Sequence, residues 1–306
     1  MKLVYMGTPE FAVPALKSLY GAGHEILSVV TQPDRRKGRG RAMAESPVSE
    51  EANVLGIGTV LKPERIKTDE DTLRILKELE ADMFIDCSYG QILSEEILSM
   101  PRYGCINIHA SLLPEYRGAA PIERSLMDGK AHTGISIMQM EKGLDTGPVF
   151  ACKSTEITDC DTGETLRTRL AQMGAELIIS VIPGIADGTL KAVPQRDSDS
   201  SYAPMITRDD ARINWNRRSE DIGRQVRALS PKPGAFSTLF GSVMKIRRAS
   251  VSGDTPGEFE GCDPGTVIDA DNGRIAVLCG QGTILAIERL QLEGRKEMDV
   301  SDFLRG

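Results

Sequence analysis

Along the first 188 residues, short apolar runs alternate with stretches at helical spacing. Leu3-Val4-Tyr5-Met6 reads as a strand closed by Gly7-Thr8-Pro9. Phe11, Val13-Pro14-Ala15-Leu16 and Leu19 then follow a helical pattern that ends near Gly21 and Gly23. Glu25–Thr31 and Asp82–Cys87 are further strands, the second preceded by a charged helix around residues 69–80. Cys105–His109 alternates apolar and polar residues, a helical stretch lies near 119–128, and Ile135–Gln139 is another strand. Thr162 to Ile185 reads as a long amphipathic helix, with Leu166, Leu170, Met173, Leu177 and Val181 at helical spacing. Strands interleaved with helices predict a mostly parallel, doubly wound α/β sheet.

The pattern changes after residue 188. Residues 189–207 are polar, proline-punctuated and aperiodic, as an interdomain linker would be. In 208–306 a single helix candidate, Ser219 to Leu229, precedes short strands separated by Gly and Pro turns. These are Phe236–Phe240, Val243–Ile246, Gly265–Ile268, Ile275–Val277 and Thr283–Leu290, and they predict a small β-barrel.

Composition narrows the class. A chain of 306 residues with 40% hydrophobic and 26% charged residues has room for two soluble globular domains. No unbroken apolar run approaches bilayer-spanning length. The strand at Met1–Tyr5 is too short for the apolar region of a signal peptide. Cys87, Cys105, Cys152, Cys160, Cys262 and Cys279 include no CxxC pair, so no structural metal is expected, and a reducing cytoplasm is the expected compartment. The first turn, Gly7-Thr8-Pro9-Glu10-Phe11, lacks the second glycine that a pyrophosphate needs, which weakens a dinucleotide site.

Net charge is −7, which argues against a generic nucleic-acid binder. From Thr189 onward, however, 17 basic residues balance 17 acidic ones, so the acidic excess lies in residues 1–188. Within that part sits the dense basic run Arg35-Arg36-Lys37-Gly38-Arg39-Gly40-Arg41, without apolar periodicity and so expected to be a flexible loop. A second basic cluster runs from Arg208 to Arg248 and includes Arg247; acidic neighbours such as Asp209, Asp210, Glu220 and Asp221 stand ready to pair with it.

The candidate chemistry centres on Cys105-Ile106-Asn107-Ile108-His109. Side chains two apart on a strand share a face, so Asn107 and His109 project together while Ile106 and Ile108 face the other side. An amide donor beside an imidazole suits stabilisation of an oxyanion and handling of a proton. The same pattern also fits a sheet-edge histidine capped by its neighbour. Asp145, in Gly143-Leu144-Asp145-Thr146-Gly147-Pro148, is either a turn aspartate bonded to its own backbone or a carboxylate that orients His109. An amide, an imidazole and a carboxylate together suit acyl transfer between nitrogens without a covalent intermediate. His24 and His132, at turns flanking strands, read as structural.

Asn107-x-His109-x-Ser111-Leu112-Leu113-Pro114-x-x-Arg117-Gly118-x-x-Pro121, with Asp145 downstream, resembles the folate-dependent formyltransferases, which act on glycinamide ribonucleotide, sugar nucleotides or methionyl-tRNA. Met6–Ala12, Thr31–Arg35 with Gly38-Arg39-Gly40, Tyr89–Leu93 and Ala211–Trp215 look like the methionyl-tRNA branch. The resemblance covers nearly the whole chain; many relatives carry a further short tail beyond the segment matching Phe303–Gly306. It implies a Rossmann-like catalytic domain (1–188) with helices on both faces, a linker (189–207) and an OB-like tRNA-binding domain (208–306). It implies 10-formyltetrahydrofolate as donor and initiator methionyl-tRNA as acceptor; a monomer without metal is the default expectation. By the same resemblance Asn107, His109 and Asp145 are the catalytic trio. Tyr89, Gly90, Gln91, Ile92 and Leu93, with Ser111, Leu112, Leu113 and Pro114, line the folate pocket. Arg35, Arg36, Lys37, Arg39 and Arg41 meet the acceptor stem, and Arg247 and Arg248 anchor phosphates. The alternatives are the same chemistry on a sugar nucleotide, or a catalytically silent RNA- or folate-binding protein.

Overall fold

A computed structural model describes the whole chain except residues 38–41, 255–258, 260, 272 and 306. The chain forms two compact units. The first comprises Met1–Gly118, Thr133–Thr155 and Arg167–Tyr202; the second comprises Ala119–His132, Glu156–Leu166 and Ala203–Gly306. The units therefore do not divide at residue 188. Two internal stretches belong with the C-terminal part, and most of the segment expected to be a linker belongs with the first unit. Two of its polar side chains, Gln195 and Asp197, tie it to Arg117 of that unit.

The first unit is built on a sheet of seven strands: β1 (Lys2–Gly7), β2 (Glu25–Val30), β3 (Val60–Leu61), β4 (Met83–Cys87), β5 (Cys105–His109), β6 (His132–Gln139) and β7 (Val149–Glu156). Their spatial order is β7-β6-β5-β4-β1-β2-β3. The pairs among β1–β5 are parallel, and β6 runs antiparallel to β5. The order reverses at β1, so the crevice at the carboxyl ends of β1 and β4 is the topological switch point where such sheets bind ligands.

Both faces are covered. On one side Leu76, from helix Glu70–Glu78, and Ile97, from Glu95–Leu98, join Val4, Met6, Phe84 and Cys105 in the core. Asp69 caps the first of these helices by accepting the Thr72 N–H at 2.8 Å, and Ser94 caps the second. On the other side lies the long helix Gly163–Ala186, whose Gly174 leaves room for Ile108: a Cβ there would sit 2.8 Å from the Ile108 methyl. This helix is long and apolar enough to cross a membrane by length and composition, although Arg169 and Glu176 interrupt its apolar run, and half of its apolar window is buried.

The C-terminal part of the second unit is an antiparallel sheet in the order Phe236–Leu239, Ser242–Asp254, Thr283–Leu292, Arg274–Leu278, Val267–Asp271, with Met298–Asp299 added beside Thr283–Leu292. Strand Ser242–Asp254 is far longer than expected, and register shifts along its pairing with Thr283–Leu292 let it bend, as OB-like sheets require. Helix Ser219–Ala228 lays Ile222 and Val226 into a core with Ile246, Leu285 and Ile287. Asp210 binds both terminal nitrogens of Arg124, at 2.9 and 3.0 Å, and this guanidinium holds its carboxyl well below the usual carboxylate range.

Candidate active site

The loops that follow β1, β2 and β4 are tied together. The Tyr89 carbonyl accepts from the Thr8 hydroxyl at 3.0 Å and from Gln32 Nε2 at 3.2 Å, and the Gln32 N–H donates to Thr8 Oγ1 at 3.2 Å. Gln91 reaches the segment before helix Glu70–Glu78: its Oε1 accepts the Ile66 N–H at 2.8 Å and its Nε2 donates to the Pro63 carbonyl at 3.0 Å. Ser88 and Gly90, at φ 55° and 89°, make the turn. Of the five residues expected at a folate pocket here, Tyr89 and Leu93 are buried, Gln91 is spent on anchoring, and Gly90 and Ile92 face outward, Ile92 at 79% exposure. The Tyr89 hydroxyl is buried and has no hydrogen-bond partner among the described residues, an atom that a bound molecule could satisfy.

Ser111–Pro114 continues directly from β5. The Ser136 hydroxyl donates to the Ser111 carbonyl at 2.7 Å and accepts the Leu113 N–H at 3.0 Å, while Ser111 Oγ donates to the Glu115 carbonyl at 2.6 Å. This loop thus lies against β6 with its own polar groups occupied, leaving Leu112, Leu113 and Pro114 half-buried.

Asn107 and His109 stand on one face of β5, both buried, and Asp145 is brought to them by the loop after β6. Asn107 Nδ2 donates to Asp145 Oδ1 at 3.4 Å, and His109 Nδ1 lies 3.7 Å from Asp145 Oδ2. His109 Nε2 is 3.0 Å from the Tyr116 carbonyl, an atom that can only accept, so Nε2 carries a proton and Nδ1 is the atom turned to Asp145. The three side chains therefore share one place.

Asp145 is held in the left-handed region, at φ 51°, where a non-glycine residue persists only if its surroundings fix it. The Gly118 N–H donates to its Oδ2 at 2.8 Å. Gln195 Nε2 donates to the Asp145 and Gly147 carbonyls at 2.8 and 2.7 Å, and Arg117 clamps the Gln195 carbonyl oxygen at 3.1 and 2.9 Å. Gln195 and the carbonyl of Tyr116 are functional groups that the sequence did not reveal. The Arg117-Gly118 pair stood in the quoted motif without a role. Asp86, read only as part of a strand, pairs in register with Asn107, and burial pushes its carboxyl up to about 7.

The basic residues fare differently. Arg35–Lys37 is not a loop: it pairs antiparallel with Ala42–Ala44, because flanking residues that lack helical period can still form a ribbon. Arg35 and Arg36 are exposed there; Arg39, Arg41 and the Lys37 side chain lie outside the described residues. Arg247 is spent inside its own unit: its guanidinium is largely buried and donates to the Pro231 carbonyl and to Gln291. Arg248 is 61% exposed and pairs with Glu288 at 2.7 Å. Glu220 and Asp221 pair with Arg218 and Arg224, as their spacing foreshadows.

Residues 1–182 match the family described as Formyl transferase, and residues 205–306 match Formyl transferase, C-terminal domain. A methionyl-tRNA formyltransferase of Gluconobacter oxydans is 44% identical over all of this chain and 97% of its own length. The methionyl-tRNA formyltransferase of Lachnospira eligens is 41% identical over all of this chain and 96% of its own. The structure of an N-formyltransferase from Helicobacter canadensis in complex with folinic acid and dTDP-3-aminofucose superposes with a TM-score of 0.69 at 17% identity, covering 94% of this chain and 98% of that one. The chain belongs to the formyl transferase family.

Proposed function

We propose that this member of the family transfers the formyl group of 10-formyltetrahydrofolate to the amine of initiator methionyl-tRNA, acting as a cytoplasmic monomer. One observation carries the chemistry: Asp145, far from β5 in sequence, stands within 3.4 Å of Asn107 and 3.7 Å of His109. The acceptor is supported by full-length identity to relatives of that name and by the exposed arginines of the ribbon.

The amine nitrogen attacks the formyl carbon, forming a C–N bond, and the carbonyl pair moves onto oxygen. Asn107 Nδ2 is the donor placed to meet that oxyanion. His109 Nδ1 takes the proton that the amine loses, with Nε2–H fixed on Tyr116; Asp145 holds the resulting imidazolium. When the bond from carbon to the donor's N10 breaks, the same Nδ1 returns the proton to N10, so atoms and charge balance without a covalent enzyme intermediate. The loops Tyr89–Leu93 and Ser111–Pro114, side by side after β4 and β5, line the donor pocket. Arg35, Arg36, Lys37, Arg39 and Arg41 meet the acceptor stem, and residues 208–306 carry tRNA-binding surface with Arg248 among its cations.

The test offers 10-formyltetrahydrofolate with methionyl-initiator tRNA, free methionine and an amino-sugar nucleotide in parallel. Formylation of the charged tRNA alone is expected. Preferential formylation of the sugar nucleotide would replace the acceptor, and no formylation of any of the three would remove the activity.

A further inference from the structure

One groove of the second unit has no task in the steps above. Strands Phe236–Leu239 and Ser242–Asp254 pair with Phe236 opposite Lys245 and Thr238 opposite Val243, so these four side chains share one face of the hairpin, while Met244 is buried in the core on the other. Beside that face the segment carrying Arg208 is fixed by the Ile213 N–H, which donates to the Phe236 carbonyl at 2.8 Å. Ile206, Arg208, Pro233, Phe236, Val243 and Lys245 line a cavity of about 330 Å³. The Arg208 guanidinium rests over the Phe236 ring, 5.8 Å from its centre. Lys245 Nζ donates to the Pro233 carbonyl at 2.7 Å and keeps two further protons to donate. Neither cation forms an ion pair among the described residues, and no carboxylate is among the described residues that line the groove. Asp210, close to Arg208 in the chain, is taken up by Arg124. Burial and the neighbouring Arg247 hold the Lys245 pKa below the usual lysine value, as for an ammonium short of an opposite charge. The same hairpin ends at Phe240, which is 97% exposed. With Gly241 it makes a two-residue turn at φ 48° and 79°, a conformation that favours Asn-Gly and strains a bulky residue. Nothing buries the ring, so the fold gains no packing from a phenyl there.

We propose that this hairpin is a stacking site for unpaired RNA nucleotides: one base stacks in the groove on the platform of Phe236 and Arg208, Lys245 meets the adjoining phosphate, and a further base stacks on Phe240. The proposal rests on the reading of residues 208–306 as tRNA-binding surface, and adds that this part of it takes single-stranded rather than paired nucleotides. The groove is of small-ligand size, enough for one base and too small for a duplex. A guanidinium lying on a ring extends the stacking surface, and the two cations without an acid complement the charge of the backbone. Bases in a duplex have both faces covered by their neighbours, so such a platform selects by pairing rather than by sequence. Phe236 and Phe240 are separated by about 13 Å of strand, within reach of one short oligonucleotide.

The probe is fluorescein-labelled hexaadenylate, with binding to the full chain followed by anisotropy, beside uncharged initiator tRNA and a blunt-ended RNA duplex. Phe236→Leu weakens hexaadenylate binding about tenfold and leaves the duplex within about twofold of the parent, while Phe236→Tyr keeps the parental Kd. Lys245→Gln lowers the slope of log Kd against log salt by about 0.7, the contribution of one single-strand phosphate. Phe240→Asn gives the turn the residue it prefers. A chain that melts no lower than the parent, yet binds hexaadenylate about fivefold more weakly, separates stacking from folding. If Phe236→Leu does not fold, Phe240→Asn decides alone. A hexaadenylate Kd unmoved in either folded variant, an equal loss on the duplex, or binding of tRNA without binding of hexaadenylate overturns the proposal and leaves the tRNA reading standing. A parent chain that binds neither tRNA nor hexaadenylate removes both together.

Discussion

Gln195→Leu isolates what the Asp145 loop contributes to turnover, because Gln195 touches neither Asn107 nor His109. The substitution keeps the volume of the side chain and deletes two donated hydrogen bonds, to the Asp145 and Gly147 carbonyls, along with the two that Arg117 donates to Gln195. Each net hydrogen bond contributes about 1 kcal/mol, so the loop loses about 2 kcal/mol of restraint. That restraint opposes the strain of Asp145 at φ 51°, itself about 1 kcal/mol for a non-glycine residue. What remains are the Gly118 N–H at 2.8 Å and the Asn107 amide at 3.4 Å. If the whole 2 kcal/mol is withdrawn from the arrangement that turns over, kcat falls roughly thirtyfold. The assay is kcat with donor and charged tRNA both saturating, beside a thermal melt of the same preparation. A fall of about tenfold to thirtyfold with little change in either KM, and a Tm lowered by only about 4–8 °C, is expected. A kcat within twofold of the parent, with Gln195→Leu folded, would show that Asp145 is held without it and refute the assignment.

Three further outcomes follow from the geometry. His109→Ala lowers kcat by a hundredfold to a thousandfold, roughly 3–4 kcal/mol, while folinic acid binding by calorimetry stays within a few fold, because the imidazole acts on the reacting atoms. Neutralising Arg35, Arg36 and Lys37 together lowers kcat/KM for charged tRNA and flattens its dependence on salt, with the donor KM unmoved; steady-state kinetics at several salt concentrations measures both. Asp210→Asn removes the partner of Arg124. The folded pKa of Asp210 is depressed, so its stabilisation is present above the unfolded value of about 3.9 and disappears as pH falls through the folded one. Denaturant melts should therefore show the variant about 1 kcal/mol weaker at pH 7, after screening of a partly exposed pair, with the gap closing below about pH 4.

The strands and helices that carry the site were legible because burial imposes a period. Ile106 and Ile108 meet the long helix on one side of β5, while Asn107 and His109 turn to the crevice on the other, and that alternation is written in the residues. Helix Glu70–Glu78 announces itself through Asp69 at its cap and acidic residues in its first turn. Edge strand β7 and the short helix Pro47–Val54 leave weaker marks. Most of β7 is exposed or half-buried, so no apolar stripe is required of it, and Pro47–Val54 buries only Val48, Ser49 and Ala52. Gln195 was illegible for a different reason. Its role is to bond backbone carbonyls fifty residues earlier in the chain, and such bonds ask for an amide at one point without any periodic trace around it. The burial of Arg247 was illegible because a guanidinium in a basic cluster looks the same in sequence whether it faces solvent or the Pro231 carbonyl.

The anchors of the site fall into two blocks of the chain. The loop Tyr89–Leu93, proposed to hold the donor, is set by Thr8, Gln32, Pro63 and Ile66, all of which precede it. Asn107, His109 and Asp145, proposed to handle the proton, are set by Tyr116, Arg117, Gly118 and Gln195, all of which follow β5. Asp86 beside Asn107 is where the blocks touch. Inheritance can therefore treat them as separate modules: a crossover in the stretch after Leu93 and before Cys105 would exchange one set of anchors whole and leave the other whole.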